Sequence, residues 1–290
     1  MKVSGFTFIR NAVLYDYPIV EAINSILPLC DEVVVAVGKS DDNTLELIQE
    51  INSDKIKIVE THWDESLRQG GRVLAVETDK AYAAIAKDSD WAFYIQGDEV
   101  IHEKYIPVIR ESMEKYLNDK KVDGLLFNYL HFYGSYDFVG TSSNWYPHEI
   151  RVIRNYPEIY SYRDAQGFRK GEDKKLQVKA VDAFVYHYGW VKPPEAMQRK
   201  QETFHKLWHS DKWVEQNIVK PGGFSYENHV KSLRPFKGDH PMVMQDRIKK
   251  KNWKFDYDIS FNNKTIKDRF KDFLKRSLGL DFSYRNYIKL

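Results

Sequence analysis

Apolar and polar positions change period in blocks along the first hundred residues. "VSGFTFI" reads as a strand, and Pro18 to Leu27 as a helix with Ile19, Ile23, Ile26 and Leu27 on one face. "EVVVAVG" is an unbroken apolar strand, "DDNTLELIQEI" a helix that opens on its own capping residues, and "KIKIVE" a third strand. Arg72 to Ala86 brings Leu74, Ala75, Ala81 and Ile85 to one helical side, and "WAFYI" is a fourth strand. Near-continuous apolar strands separated by helices predict a mostly parallel sheet with helices on both faces.

The pattern changes after Gly124. "GLLFNYLHFYG", "EIRVIRN" and "VDAFVYHYGW" read as strands with irregular connections, which predicts a smaller antiparallel region. Pro193 to Trp213 reads as a polar helix, and a loop with Pro221, Gly222, Gly223 and Pro235 follows it. We found no repeat and no low-complexity linker. The expected division is an α/β domain over residues 1–235 and a C-terminal extension over 236–290. Within the extension, "KTIKDRFKDFLKRSLGL" spaces Ile266, Phe270, Phe273, Leu274 and Leu278 along one helical face. Six basic and two acidic residues lie between Lys264 and Arg276. Such a helix could lie on an anionic membrane surface or dock on the body of the domain.

Bulk composition narrows the classes. The 290 residues are 42% hydrophobic and 30% charged, those of an ordinary globular chain, and a net charge of +2 gives no case for nucleic acid as a partner. A lone cysteine, Cys30, can form no internal disulfide and no zinc cluster, which points to a reducing, cytoplasmic setting. The start "MKVSGFTFIRNAV" is interrupted too early to read as a signal peptide, and no apolar run approaches the roughly 20 residues of a membrane span.

Candidate chemistry collects at the strand ends. Arg10 and Asn11 lie where the first strand gives out, placed to meet a phosphate or a base, or merely to form a solvated turn. "WAFYIQGDEVIHE" runs from a buried strand into Asp98 and Glu99, at the sheet edge where open α/β sheets bind ligands. From those residues alone, Asp98 could instead cap a helix whose first turn holds Glu99 and Glu103.

"VVVAVGKSDDNTLELI", a strand running through Gly38, Ser40, Asp42 and Thr44 into a helix, resembles the nucleoside-binding loop of family-2 glycosyltransferases. "DSDWAFYIQGDEV" is similar to that family's Asp-x-Asp-Glu frame, with Gln96 replacing the first Asp and Asp98 standing as the second. "HEIRVIRNYPEIYSY" and "VYHYGW" resemble its later Arg-Asn strand and its histidine-glycine segment. Together these cover about the first 200 residues. Val37 and Gly38 stand where the family carries the acid that binds base or ribose.

The resemblance implies a GT-A-like fold and a metal-dependent, inverting glycosyltransferase of the bacterial cell-surface polysaccharide type. It implies a UDP- or GDP-sugar donor, a saccharide or lipid-linked acceptor, and Mn2+ or Mg2+. Asp98 and His187 would hold the cation. Arg10, Asn11, Gly38, Ser40, Asp42, Arg72, Gln96 and Gly97 would contact the donor. A general base for the acceptor is sought among Asp164, Glu149, Glu172 and Asp173, with Asp164 and Glu149 preferred. Glu99 would be structural, and His240 in "FKGDHP" is the rival to His187. Peripheral contact with the inner face of a membrane rests on the basic helix alone. The competing class is a non-catalytic nucleotide- or sugar-binding protein on the same scaffold.

Overall fold

The computed structural model describes residues 1–142, 145–219, 223–227, 229–230, 232–258 and 285–290. The first four strands, β1 (Val3–Ile9), β2 (Glu32–Gly38), β3 (Ile56–Thr61) and β4 (Trp91–Tyr94), are parallel in the order β3-β2-β1-β4. Helices α1 (Ile19–Ile26), α2 (Thr44–Gln49) and α3 (Arg72–Ala83) connect them. The unbroken apolar runs follow from two-sided burial. Val33, Val35 and Val37 of β2 pack with Ile19, Ile23 and Ile26 of α1. Val34 and Ala36, pointing the other way, pack with Ala81 and Tyr82 of α3.

The expected antiparallel region is present and larger than its apolar runs suggested. β5 (Glu99–Ile101), α4 (Ile106–Tyr116), β6 (Gly124–Tyr133), β7 (Ser135–Gly140), β8 (His148–Arg154), β9 (Ile159–Tyr162), β10 (Gly167–Lys170) and β11 (Lys174–Trp190) follow. The sheet continues β4-β8-β6-β11-β10-β9, with β4, β6 and β8 antiparallel and β6 parallel to β11. β5 pairs antiparallel with β11, setting His187 opposite Glu99.

One open alternative closes and one expectation changes. Glu99 opens a strand rather than a helix, so Asp98 is no helix cap; His102 caps the short 3-10 turn 103–105 instead. The helix expected over 193–213 is two, α5 (Pro194–His205) and α6 (Asp211–Asn217), because the Ser210 side chain accepts from Trp213 N and starts a new helix.

The chain after β12 (Leu233–Pro235) packs back on the sheet. Arg247, in α7 (Gln245–Lys249), bonds Asp16 and Glu21, Trp253 Nε1 donates to Gly134 O, and β13 (Tyr287–Lys289) lies parallel to β11. The basic helix expected near 264–278 lies outside the described residues. Among those described, no helix is long and apolar enough to cross a membrane.

Candidate functional site

The parallel strands end at one edge, and three groups of polar residues gather there. The first braces the loops after β1 and β2. Asn11, in the left-handed region at φ 55°, donates its backbone N–H to Ser40 Oγ (3.0 Å), and its Oδ1 accepts from Asp41 N (2.8 Å). Asp42 accepts from Leu14 N (2.6 Å) and Thr44 N (3.1 Å), and Thr44 Oγ1 accepts from Ala12 N (2.7 Å). Ser40 and Asp42 therefore lock two loops together. Beside the brace, Arg10 binds Glu65 (2.9 Å) and lies over Trp63. Trp63 Nε1 and Arg10 Nε are buried without an acceptor. A Cβ at Gly38 would come within 2.4 Å of Trp63 Nε1, so this glycine exists to admit the indole. Trp63 sits in no recognisable motif, and the sequence reading passes over it.

The second group surrounds Asp98. Its Oδ2 accepts from Lys200 Nζ (3.2 Å), its Oδ1 lies 3.8 Å from His187 Nε2, and the side chain is nearly buried. Burial would raise its pKa, but neighbouring positive charge, that of Lys200 first, outweighs this and holds the carboxyl well below the usual range. Lys200 also donates to Gly189 O (3.0 Å), and the fully buried Lys192 donates to Tyr15 O (2.7 Å). Behind His187, its Nδ1 lies 3.1 Å from His131 Nδ1, and His131 Nε2 lies 2.7 Å from Tyr146 O. Burial pulls the His187 ring below the ordinary imidazole range and the His131 ring down to about 3. Lys200, Lys192 and His131 carry no sequence signature; strand pairing and helix packing bring them in.

A Cβ at Gly189 would sit 2.7 Å from both Asp98 Oδ2 and His187 Nε2, so carboxylate and imidazole both close on this glycine and leave no room for a side chain. One carboxylate and one imidazole could hold a divalent cation only if it took its remaining ligands from phosphates. Among the described residues, no group of three or more His, Cys, Asp or Glu gathers to hold a metal by itself. Glu99, by contrast, is spent. Arg151 grips both its oxygens at 2.7 Å, and Tyr129 donates to it at 2.8 Å. His240 is spent as well, with Nδ1 on Tyr188 Oη (2.8 Å) and Nε2 on Tyr136 O (3.0 Å).

The third group lines a cleft of about 560 Å³ that includes Gly70, Arg72, Asp79, Tyr160, Asp164, Gln166 and the exposed Trp208. Asp164 Oδ1 is buried and accepts no hydrogen bond, and burial raises this carboxyl above its ordinary value. Its turn is tight: Arg163 and Ala165 have φ of 55° and 63°. Gln96 Nε2 reaches Ala165 O at 3.4 Å, which links this cleft to the strand end bearing Asp98. Gly97 lies against Ile9, where a Cβ would come within 2.9 Å of Ile9 Cδ1. Glu149 lies on β8 near Gly167, and burial pushes it up to about 8, so it is protonated at neutral pH. Glu172 and Asp173 lie in the β10–β11 turn, outside the cleft lining.

No family model and no curated protein matches the chain. Among solved structures it is similar to S. aureus TarS, at 15% identity and a TM-score of 0.44, over 74% of this chain and 42% of that one. It is similar to glucosyl-3-phosphoglycerate synthase from Mycobacterium tuberculosis with Mn2+, UDP and glucosyl-3-phosphoglycerate, at 19% identity and TM-score 0.31, over 46% of this chain and 45% of that one. It is also similar to a 4-diphosphocytidyl-2C-methyl-D-erythritol synthase from Anaerococcus prevotii, at 12% identity and TM-score 0.39, over 74% of this chain and 96% of that one. The chain spans less than half the length of TarS and of the mycobacterial synthase. The chain's own architecture is a parallel β3-β2-β1-β4 block continued by an antiparallel region.

Proposed function

We propose that this chain transfers a sugar, with inversion, from a UDP- or GDP-linked donor to a hydroxyl of a saccharide or lipid-linked acceptor. The observation that carries the reading is the convergence of Asp98 and His187 on the space at Gly189. Gln96 joins that strand end to a cleft holding the unpartnered carboxylate oxygen of Asp164. Arg10 Nε and Trp63 Nε1, buried donors without acceptors, would serve the base or phosphates, with Asn11, Gly38, Ser40 and Asp42 keeping that loop in shape. Arg72 at the start of α3, Gln96 and Gly97 would border the donor from the cleft side. Residues 236–290 would serve as an extension of the domain, and the inner face of a membrane is where the basic sequence between Lys264 and Arg276 would act.

The chemistry follows from charge. Asp164 accepts the proton of the acceptor hydroxyl as that oxygen bonds to the anomeric carbon. The bond from that carbon to the diphosphate breaks, and its electron pair leaves on a phosphate oxygen. Asp98 and His187 would hold a cation, which when bound would supply positive charge against that developing anion. The Lys200 ammonium, bound to Asp98 and to the Gly189 carbonyl, adds positive charge at the same place. Glu149, whose carboxyl burial also raises, is the second candidate for the base; Asp164 is preferred because it lines the cleft and keeps an oxygen without a partner.

A non-catalytic nucleotide-binding protein is favoured by one observation, the use of Asp42 as a loop brace rather than a ligand. A screen of UDP- and GDP-sugars for hydrolysis, with and without Mn2+, separates the two. Metal-stimulated turnover of one donor supports the transferase. Nucleotide binding without turnover of any donor or transfer to any acceptor supports the binding protein.

A further inference from the structure

We infer that His131 is a positioning residue that fixes the tautomer of His187, so that His187 Nε2 presents its lone pair to the space beside Asp98. This rests on the metal reading of that space. A backbone carbonyl can only accept, so the 2.7 Å contact to Tyr146 O requires a proton on His131 Nε2. His131 is 4% exposed and held between rings, with Tyr129 stacked at 5.3 Å, Trp145 stacked at 5.1 Å and Tyr146 edge-on at 4.4 Å. So enclosed a ring favours the neutral form. A neutral ring protonated at Nε2 has a bare Nδ1. The 3.1 Å contact then requires His187 Nδ1 to carry the hydrogen and donate it. His187 Nε2 is left unprotonated, facing Asp98 Oδ1 at 3.8 Å.

Two acceptors facing each other repel unless a cation lies near them. Lys200 fills part of that need on the Oδ2 side, at 3.2 Å, but no hydrogen bond joins it to His187. A second ring nitrogen fixed by an outer partner is how metal-bound imidazoles are usually oriented. Here the outer partner is another imidazole, itself anchored to the backbone of the loop that carries Trp145 and Tyr146. Through this relay the shape of that loop reaches the cation site.

The test is a two-bond 1H–15N correlation on histidine-labelled protein without metal, together with Mn2+ titrations in the presence of UDP, GDP or inorganic pyrophosphate. Wild type should show His187 protonated at Nδ1 and His131 at Nε2. His131→Phe keeps the ring stack and removes the acceptor. It should lose roughly 10- to 100-fold in Mn2+ affinity, and His131→Gln, whose amide oxygen can accept, should recover part of it. Melting temperatures of both variants separate a folding defect from a site defect. His187 protonated at Nε2 in wild type overturns the inference even if neither variant folds. Equal Mn2+ affinity in wild type and His131→Phe overturns it while leaving the metal reading intact. Wild type that binds no Mn2+ with any of the three probes overturns the metal reading and this inference with it.

Discussion

Asp98 and Glu99 carry the same group one residue apart, and their partners separate them. Glu99 is fully buried in a two-pronged bond to Arg151, whose guanidinium lies over Tyr94 and Tyr129. Asp98 keeps one oxygen aimed at His187 with no donor between them. Replacing Asp98 with Asn should abolish Mn2+-dependent nucleotide binding and, by leaving the nearly buried Lys200 without its carboxylate, also lower the melting temperature; unchanged affinity by calorimetry in the folded protein would remove Asp98 from the site. Glu99→Gln should act on the fold alone. It leaves Arg151 buried and uncompensated, a loss of about 3–5 kcal/mol of stability, readable as an earlier urea midpoint. A Glu99→Gln protein as stable as wild type would show that the pair contributes nothing.

At the scale of elements, β11 does most to assemble the site. Its register against β6 shifts between His187 and Trp190, and Tyr188 and Gly189 occupy that irregular stretch. Such bulges re-aim side chains, and this one sets a glycine where Asp98 and His187 converge. Gly189→Ala should therefore abolish Mn2+-dependent nucleotide binding, because its methyl would stand 2.7 Å from both groups. Retained binding in a folded Gly189→Ala protein would mean that the cation does not use this space. The loops after β1 and β2 form a second unit. Asp42→Ala leaves Leu14 N and Thr44 N without their acceptor, and should cost about 1–3 kcal/mol as well as weakening nucleotide binding. A neutral result in both measurements would mean the brace has no role.

Across the whole molecule, the roles proposed for the strand end at Asp98 and the cleft at Asp164 should be separable by pH. Asp164→Asn should lower turnover on the order of 100-fold or more with donor binding intact; loss of donor binding instead would assign Asp164 to the donor side. Because burial raises the Asp164 carboxyl, the rate should fall with acid at a pH above the ordinary aspartate value of about 3.9. Asp79, lining the same cleft, is pushed up to about 6 by burial, against one backbone hydrogen bond from Ser161. A carboxyl with a raised folded pKa favours the native state when protonated. Its contribution is present below the unfolded value and is lost as pH rises through about 6. Asp79→Asn should thus raise the melting temperature at pH 7 relative to wild type and not at pH 4. An equal shift at both values would rule out titration as the cause.

The parallel block was legible in the sequence because strands buried on both faces must be apolar throughout, as "EVVVAVG" is, and because helices such as Ile19–Ile26 repeat their apolar side at helical spacing. Asp98 was legible for a related reason: the end of a buried strand is where a polar group first reaches solvent. The antiparallel strands β7, β9, β10 and β12 were not, since short pairs beside turns carry too little periodicity to declare themselves. Nor did any local signal show Glu99 as a strand residue rather than the first turn of a helix. That depends on β11, which returns some eighty residues later to pair with it. The same long-range pairing decides the chemistry. His131, His187, Lys192 and Lys200 lie scattered along the chain on β6, β11, the segment after β11, and α5, and sequence alone singled out only His187. Bringing an imidazole relay and two lysines around one carboxylate requires β6 and β11 to lie side by side and α5 to fold back toward the strand ends. Burial and Coulomb interaction act between neighbours in space, so only the tertiary structure could bring these residues to their partners.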